Sequence, residues 1–129
     1  MKLNQKQKEV ATSIIKACRA VGLDPKWPLS VAMVESSLGL HQLSPTGCKG
    51  VFQMSTVAMK DLLQEMEKSD DDLIDIFCGV LFLRLLLSRW KTQEEATNHF
   101  CDPNDKSFYW PKVVDYMYLF DSESSINNL

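Results

Sequence analysis

No long block of lysine and arginine occurs in these 129 residues, and 17 acidic side chains outnumber 14 basic ones for a net charge of −3. Binding that depends on phosphate neutralisation leaves a basic footprint, so a nucleic-acid partner is not expected. Glycine and proline are scarce, with five of each, and no stretch alternates polar and apolar residues at any length. That pattern favours helix over sheet. Cys18, Cys48, Cys78 and Cys101 are scattered, with no CxxC pair and no histidine at zinc-ligand spacing, so no metal site is expected. A chain of this size needs no disulfide framework, and buried thiols are preferred over one or two disulfides, with Cys48 the most exposed of the four.

An apolar h-region is also missing from the N-terminus, where Lys2, Lys6, Lys8 and Glu9 come early, so no secretory signal peptide is expected. A protein of this kind acting on an extracytoplasmic substrate would reach it by lysis, in a virus particle or through a dedicated secretion machine. The most apolar stretch, Leu73 to Trp90, is interrupted by Asp75, Arg84 and Arg89. Its longest uncharged piece, Ile76 to Leu83, falls far short of the roughly 20 residues a bilayer requires. No membrane span is expected, and the stretch reads instead as a central helix buried by neighbours all around. Gly79 within it points to a close crossing with another helix.

No internal repeat or linker divides the chain, and its length suits one domain that buries roughly two-thirds of its unfolded surface. Residues 4–21 have an apolar stripe of Val10, Ile14, Ala17, Cys18 and Val21, with Asn4 to cap it and Gly22 to stop it. A connector, 23–28, follows, with Trp27 placed either against the first helix or along a cleft. Further helices are expected from Pro28 to Gly39, over 55–67, after the acidic turn 69–72, over 93–100 capped by Thr92, and over 109–120 with Pro111 near its start. Residues 1–27 are thus an N-terminal scaffold helix and connector, 28–120 the core, and 121–129 a frayed polar tail.

Glu35 is out of place in this scheme. It lies one turn beyond Val31 and Ala32 and one turn before Leu38, on the stripe that should face the core. The ordinary alternative is a solvated Glu on a surface helix. A carboxylate held against apolar neighbours has its charged form disfavoured, and such a group can serve as a general acid. The following loop is rich in turn formers, Ser44-Pro45-Thr46-Gly47 and then Gly50, and ends at Gln53. Folded over Glu35, it would offer Gln53 and backbone groups to sugar hydroxyl and acetamido groups.

Glu35-Ser36, then Ser44-x-x-Gly47-x-x-Gly50-x-x-Gln53, with Gln53 18 positions after Glu35, resembles the soluble, goose-lysozyme-related lytic transglycosylases. Asp75-Ile76, Gly79, Leu81, Leu83 and Leu86-Leu87 are similar to that family's buried helix. The resemblance covers residues 28–90 well and 91–120 loosely. It implies an all-α, lysozyme-like single domain in which Glu35 alone is the catalytic acid and base, with no cofactor. Its substrate would be the peptidoglycan bond between N-acetylmuramic acid and N-acetylglucosamine, and its product a 1,6-anhydro end.

Ser36, Ser44, Gly50, Gln53 and Met54 would line the substrate site, Met54 standing beside Ser55, where the family has methionine. The family's Ala-Tyr-Asn, whose tyrosine steadies the catalytic Glu, falls at Ala96-Thr97-Asn98-His99-Phe100, which holds no tyrosine. His99 in the tyrosine's place, Asn98 as the asparagine, or Tyr109 reaching in from the next segment are the alternatives. His41 is a further histidine near the cleft.

No Asp or Glu occurs between Glu35 and Asp61. Hydrolases ordinarily need a second carboxylate ~5–10 Å away, so a hydrolytic muramidase is the close competitor if folding brings one in. A peptidoglycan-binding or structural protein without turnover is the next alternative, and a helical interaction module the last. The expected origin is a phage lysin, a virion-associated enzyme or a secretion-system muramidase, with a virion or secretion-machine partner.

Overall fold

The computed structural model describes residues 2–41, 50–53, 72–100 and 109–122. Among these the chain is all-helical, with no strand: α1 (Gln5–Val21), α2 (Lys26–Ser36), α3 (Asp72–Trp90), α4 (Gln93–Phe100) and α5 (Tyr109–Ser122). The expected 55–67 helix, residues 69–71 of the acidic turn, Ser44, Met54, Cys48, Cys101 and the tail beyond 122 lie outside the described residues.

The first helix follows its sequence signals closely. Asn4 Oδ1 accepts from the Gln7 amide at 2.9 Å, and Gln7 Oε1 accepts from the Asn4 amide at 3.0 Å, a reciprocal capping box. Gly22, at φ 74°, takes the left-handed conformation that ends the helix. The Arg84 guanidinium, from α3, donates to the nearby Val21 carbonyl at 3.3 Å.

α2 begins earlier and ends sooner than its sequence suggests. Asp24 Oδ1 accepts from the Lys26 amide at 2.9 Å, starting the helix inside the expected connector. Trp27 is therefore helical and fully buried, and its indole N–H donates to Thr97 Oγ1 on α4 at 2.8 Å. The sequence placed Trp27 against the first helix or along a cleft; its polar partner is α4. At the other end, Ser37 and Leu38 turn left-handed at φ 50° and 57°, so the helix stops before Gly39. The Ser37 and Leu38 amides donate back to the Met33 and Ala32 carbonyls, closing the helix end without a glycine. Leu38 tolerates this uncommon backbone because its side chain is wholly buried.

α2 packs chiefly on α5, while α3 packs on α1 and α4. Lys26 and Asp121 add a 2.8 Å ion pair between α2 and α5, with both groups partly in solvent and worth about 0–1 kcal/mol. α3 is not buried on every side. Ile76, Val80, Leu83 and Leu86 enter the core, but Phe77 and Leu85 stand 41% and 52% exposed. The near-continuous apolar sequence concealed this polarity, because leucine and phenylalanine occupy both faces. No described helix is long and apolar enough to cross a membrane.

Two buried contacts carry expected outcomes. Thr97 is the acceptor for a buried indole N–H, and an unpaired group of that kind costs about 1–3 kcal/mol. Thr97→Val, which keeps the shape, is expected to lower the unfolding free energy by that amount, read as a lower denaturant midpoint at unchanged slope, and Thr97→Ser to recover most of it. Equal midpoints for Val and Ser would remove the hydrogen bond from the account of stability.

Cys18 and Cys78 are both buried, and Cys18 is a free thiol, as expected. Burial, reinforced by the Asp24 charge, pushes the Cys18 thiol up from 9.0 to about 12. An unfolded chain ionises this thiol near its ordinary value while the folded chain keeps it protonated. Its contribution is complete below pH 9 and is lost as pH rises toward about 12. Stability is expected to fall across that window, and Cys18→Ala to flatten the fall whatever it does to stability at neutral pH. An unchanged slope in urea titrations at successive pH values would show that another group is responsible.

Candidate active site

Glu35 sits in the last turn of α2, half-buried, and faces α5. The Tyr109 hydroxyl, from the first residue of α5, donates to Glu35 Oε1 at 2.6 Å, across 74 positions of sequence. Tyr109 is itself buried. This is a short hydrogen bond to a carboxyl oxygen, and it fixes the orientation of the carboxyl group. Of the three alternatives left open by sequence, Tyr109 is the residue that reaches Glu35.

His99 is elsewhere. Its ring stacks on Trp90 at 3.6 Å between centroids and 8° between planes, on the exposed side of the α3–α4 corner. Helical geometry sends successive side chains about 100° apart, so with Thr97 turned to Trp27 on α2, His99 is turned away toward α3. It therefore does not take the tyrosine's place. Asn98 is half-buried, and its Oδ1 is buried without a hydrogen-bond partner among the described residues. Such an atom ordinarily has a partner. His41 is exposed just beyond α2, its backbone amide donating to the Ser36 carbonyl at 2.9 Å.

Ser36, expected to line the substrate site, is engaged inside the protein. Its side chain is buried, and its Oγ donates to the Val51 carbonyl at 2.5 Å, with Ala32 O a longer second acceptor at 3.2 Å. The same oxygen accepts from the Gly39 amide at 2.9 Å. With these contacts satisfied inside the protein, the hydroxyl is committed to joining the end of α2 to the 50–53 turn.

That turn carries Gln53. Gly50 at φ 91° and Gln53 at φ 51° are both left-handed, and glycine supplies the first without strain. Gly50 O accepts twice from Gln53, from the backbone amide at 3.2 Å and from the side-chain Nε2 at 2.7 Å. The Gln53 side chain is thus folded onto its own turn and is half-buried. Between the two residues, Val51 and Phe52 are fully buried. Phe52 meets Phe100 edge-on at 6.3 Å, and Phe100 leans on Phe82 at 5.7 Å, so an aromatic cluster from α3 and α4 supports the turn.

The structure therefore brings Glu35 to Tyr109 and joins Ser36 to the turn bearing Gly50 and Gln53. Among the described residues no group of acidic, histidine or cysteine side chains forms a metal cage. Comparison of the chain with protein families, with characterised proteins and with solved structures finds no match.

Proposed function

We propose that this protein is a peptidoglycan lytic transglycosylase on a lysozyme-like fold, cleaving the bond between N-acetylmuramic acid and N-acetylglucosamine. The observation that carries the reading is the Tyr109–Glu35 hydrogen bond. The sequence resemblance calls for a tyrosine beside Glu35 and has none at its own position; α5 supplies one. A partly buried carboxyl group, oriented by a buried phenol at the end of a helix, is suited to proton transfer at a fixed point.

In this mechanism the Glu35 carboxyl gives its proton to the glycosidic oxygen as the bond from C1 of the muramic residue breaks. The muramic 6-hydroxyl then adds to C1 and returns its proton to the Glu35 carboxylate, which regenerates the acid. No water is consumed, and no second carboxylate is needed. Gln53, released from Gly50 O, would hydrogen-bond the sugar.

The test is the mass of the products from purified sacculi. Anhydro-muropeptides support the reading. Reducing-end muropeptides would replace it with a hydrolytic muramidase. No products, with protein still pelleting on sacculi, would leave a glycan-binding protein, and neither cleavage nor pelleting a helical interaction module.

A further inference from the structure

We propose that Gly79 is a positioning residue: its missing side chain makes a notch in α3 that seats the Phe52 ring and so sets the Gln53 turn relative to Glu35. This rests on the transglycosylase reading for its functional consequence, but its geometry stands independently.

A Cβ built at Gly79 would lie 2.6 Å from Phe52 Cγ and 2.9 Å from Phe52 Cβ, and closer still to Cδ2. Real Cβ atoms do not approach carbon so closely, so any other residue at 79 must displace Phe52. The ring has little room to move, being fully buried and edge-on to Phe100. Crowding acts near the root of the side chain, so a shift passes to the backbone of the turn. That backbone is short and doubly committed. One residue before Phe52, the Val51 carbonyl holds Ser36, the neighbour of Glu35. One residue after it is Gln53, whose left-handed backbone leaves few alternative conformations.

The sequence predicted that Gly79 serves a close helix crossing. The structure places the Phe52 side chain of the turn against it instead. The glycine therefore acts on both halves of the site at once, through Val51 on the acid and through Gln53 on the substrate side.

The experiment is a bump-and-hole cycle of Gly79→Ala, Phe52→Ala, which removes the two closest clashing atoms, Cγ and Cδ2, and the double variant. Sacculus digestion is measured with kcat and KM separated, at a temperature where circular dichroism shows every variant folded. Gly79→Ala is expected to lose at least tenfold in kcat/KM, shared between a lower kcat and a higher KM. Phe52→Ala is expected to lose less, and the double variant to exceed Gly79→Ala by threefold or more. If Gly79→Ala does not fold, Phe52→Ala and the double variant decide, the latter then being folded and active. Wild-type activity in Gly79→Ala, or a folded double variant no better than it, overturns the proposal. An inactive wild type overturns the functional half along with the transglycosylase reading. In that case non-additive melting temperatures across the cycle uphold the notch, and additive ones overturn it as well.

Discussion

Glu35→Gln is expected to abolish cleavage of purified peptidoglycan, with a fall of roughly 10²–10⁴-fold or more, the range carried by a positioned general acid and base. The substitution keeps the side chain's size and leaves an amide oxygen able to accept from the Tyr109 hydroxyl now found at 2.6 Å. It removes the proton that the glycosidic oxygen needs. Sacculus pelleting should be unchanged, because the lost step is chemical and the Gln53 turn is untouched. The fold should be unchanged too, since Glu35 is only half-buried. Retention of more than a tenth of wild-type turnover would remove Glu35 from the acid role. The proton donor would then have to be sought among other acids.

Tyr109→Phe is the second large effect expected. The ring remains in its buried site against α2, so packing is preserved, and only the hydroxyl donor to Glu35 is lost. A hydrogen bond to a charged group is worth about 1.5–3 kcal/mol, which corresponds to roughly a 10–100-fold fall in rate when the loss is felt in the transition state. The fall should appear in kcat with KM little changed, because buried Tyr109 acts through the carboxyl group. His99→Ala should have little effect, since its ring lies on Trp90 and away from Glu35. The reverse outcome, a harmless Tyr109→Phe with a damaging His99→Ala, would sink the assignment of the positioning role to α5.

Local signals were legible where neighbours in sequence are neighbours in space. The Asn4–Gln7 box and Gly22 bracket α1, as the spacing predicts. Thr92 caps α4, its Oγ1 accepting from the Glu95 amide at 3.2 Å. The boundaries of α2 were less legible. Asp24 starts the helix from one residue before its N-cap, and a serine and a leucine end it in backbone conformations that a glycine was expected to supply. Burial of Leu38 outweighs its intrinsic preference.

The candidate site divides in the same way. Glu35 was marked by its place on an apolar stripe, and Gln53 by its turn, because both are features of short stretches. Ser36 was assigned to substrate, and Gly79 to a helix crossing. Their partners, the Val51 carbonyl and the Phe52 ring, lie across the fold, and nothing local indicates them. Phe52 adjoins Gln53 in sequence, yet its contact with Gly79 is visible only in the fold.

By itself, the sequence determined the helical class and the positions of α1, α3, α4 and α5 to within a residue or two, since capping, periodicity and turn chemistry act over a few positions. It also singled out Glu35. Only the tertiary structure decided that Tyr109, from a helix 74 positions away, meets that carboxyl group, while His99 turns outward to Trp90. The reason is geometric: packing α5 on α2 brings the first residue of one helix to the last turn of the other, and no periodicity within either segment encodes that meeting.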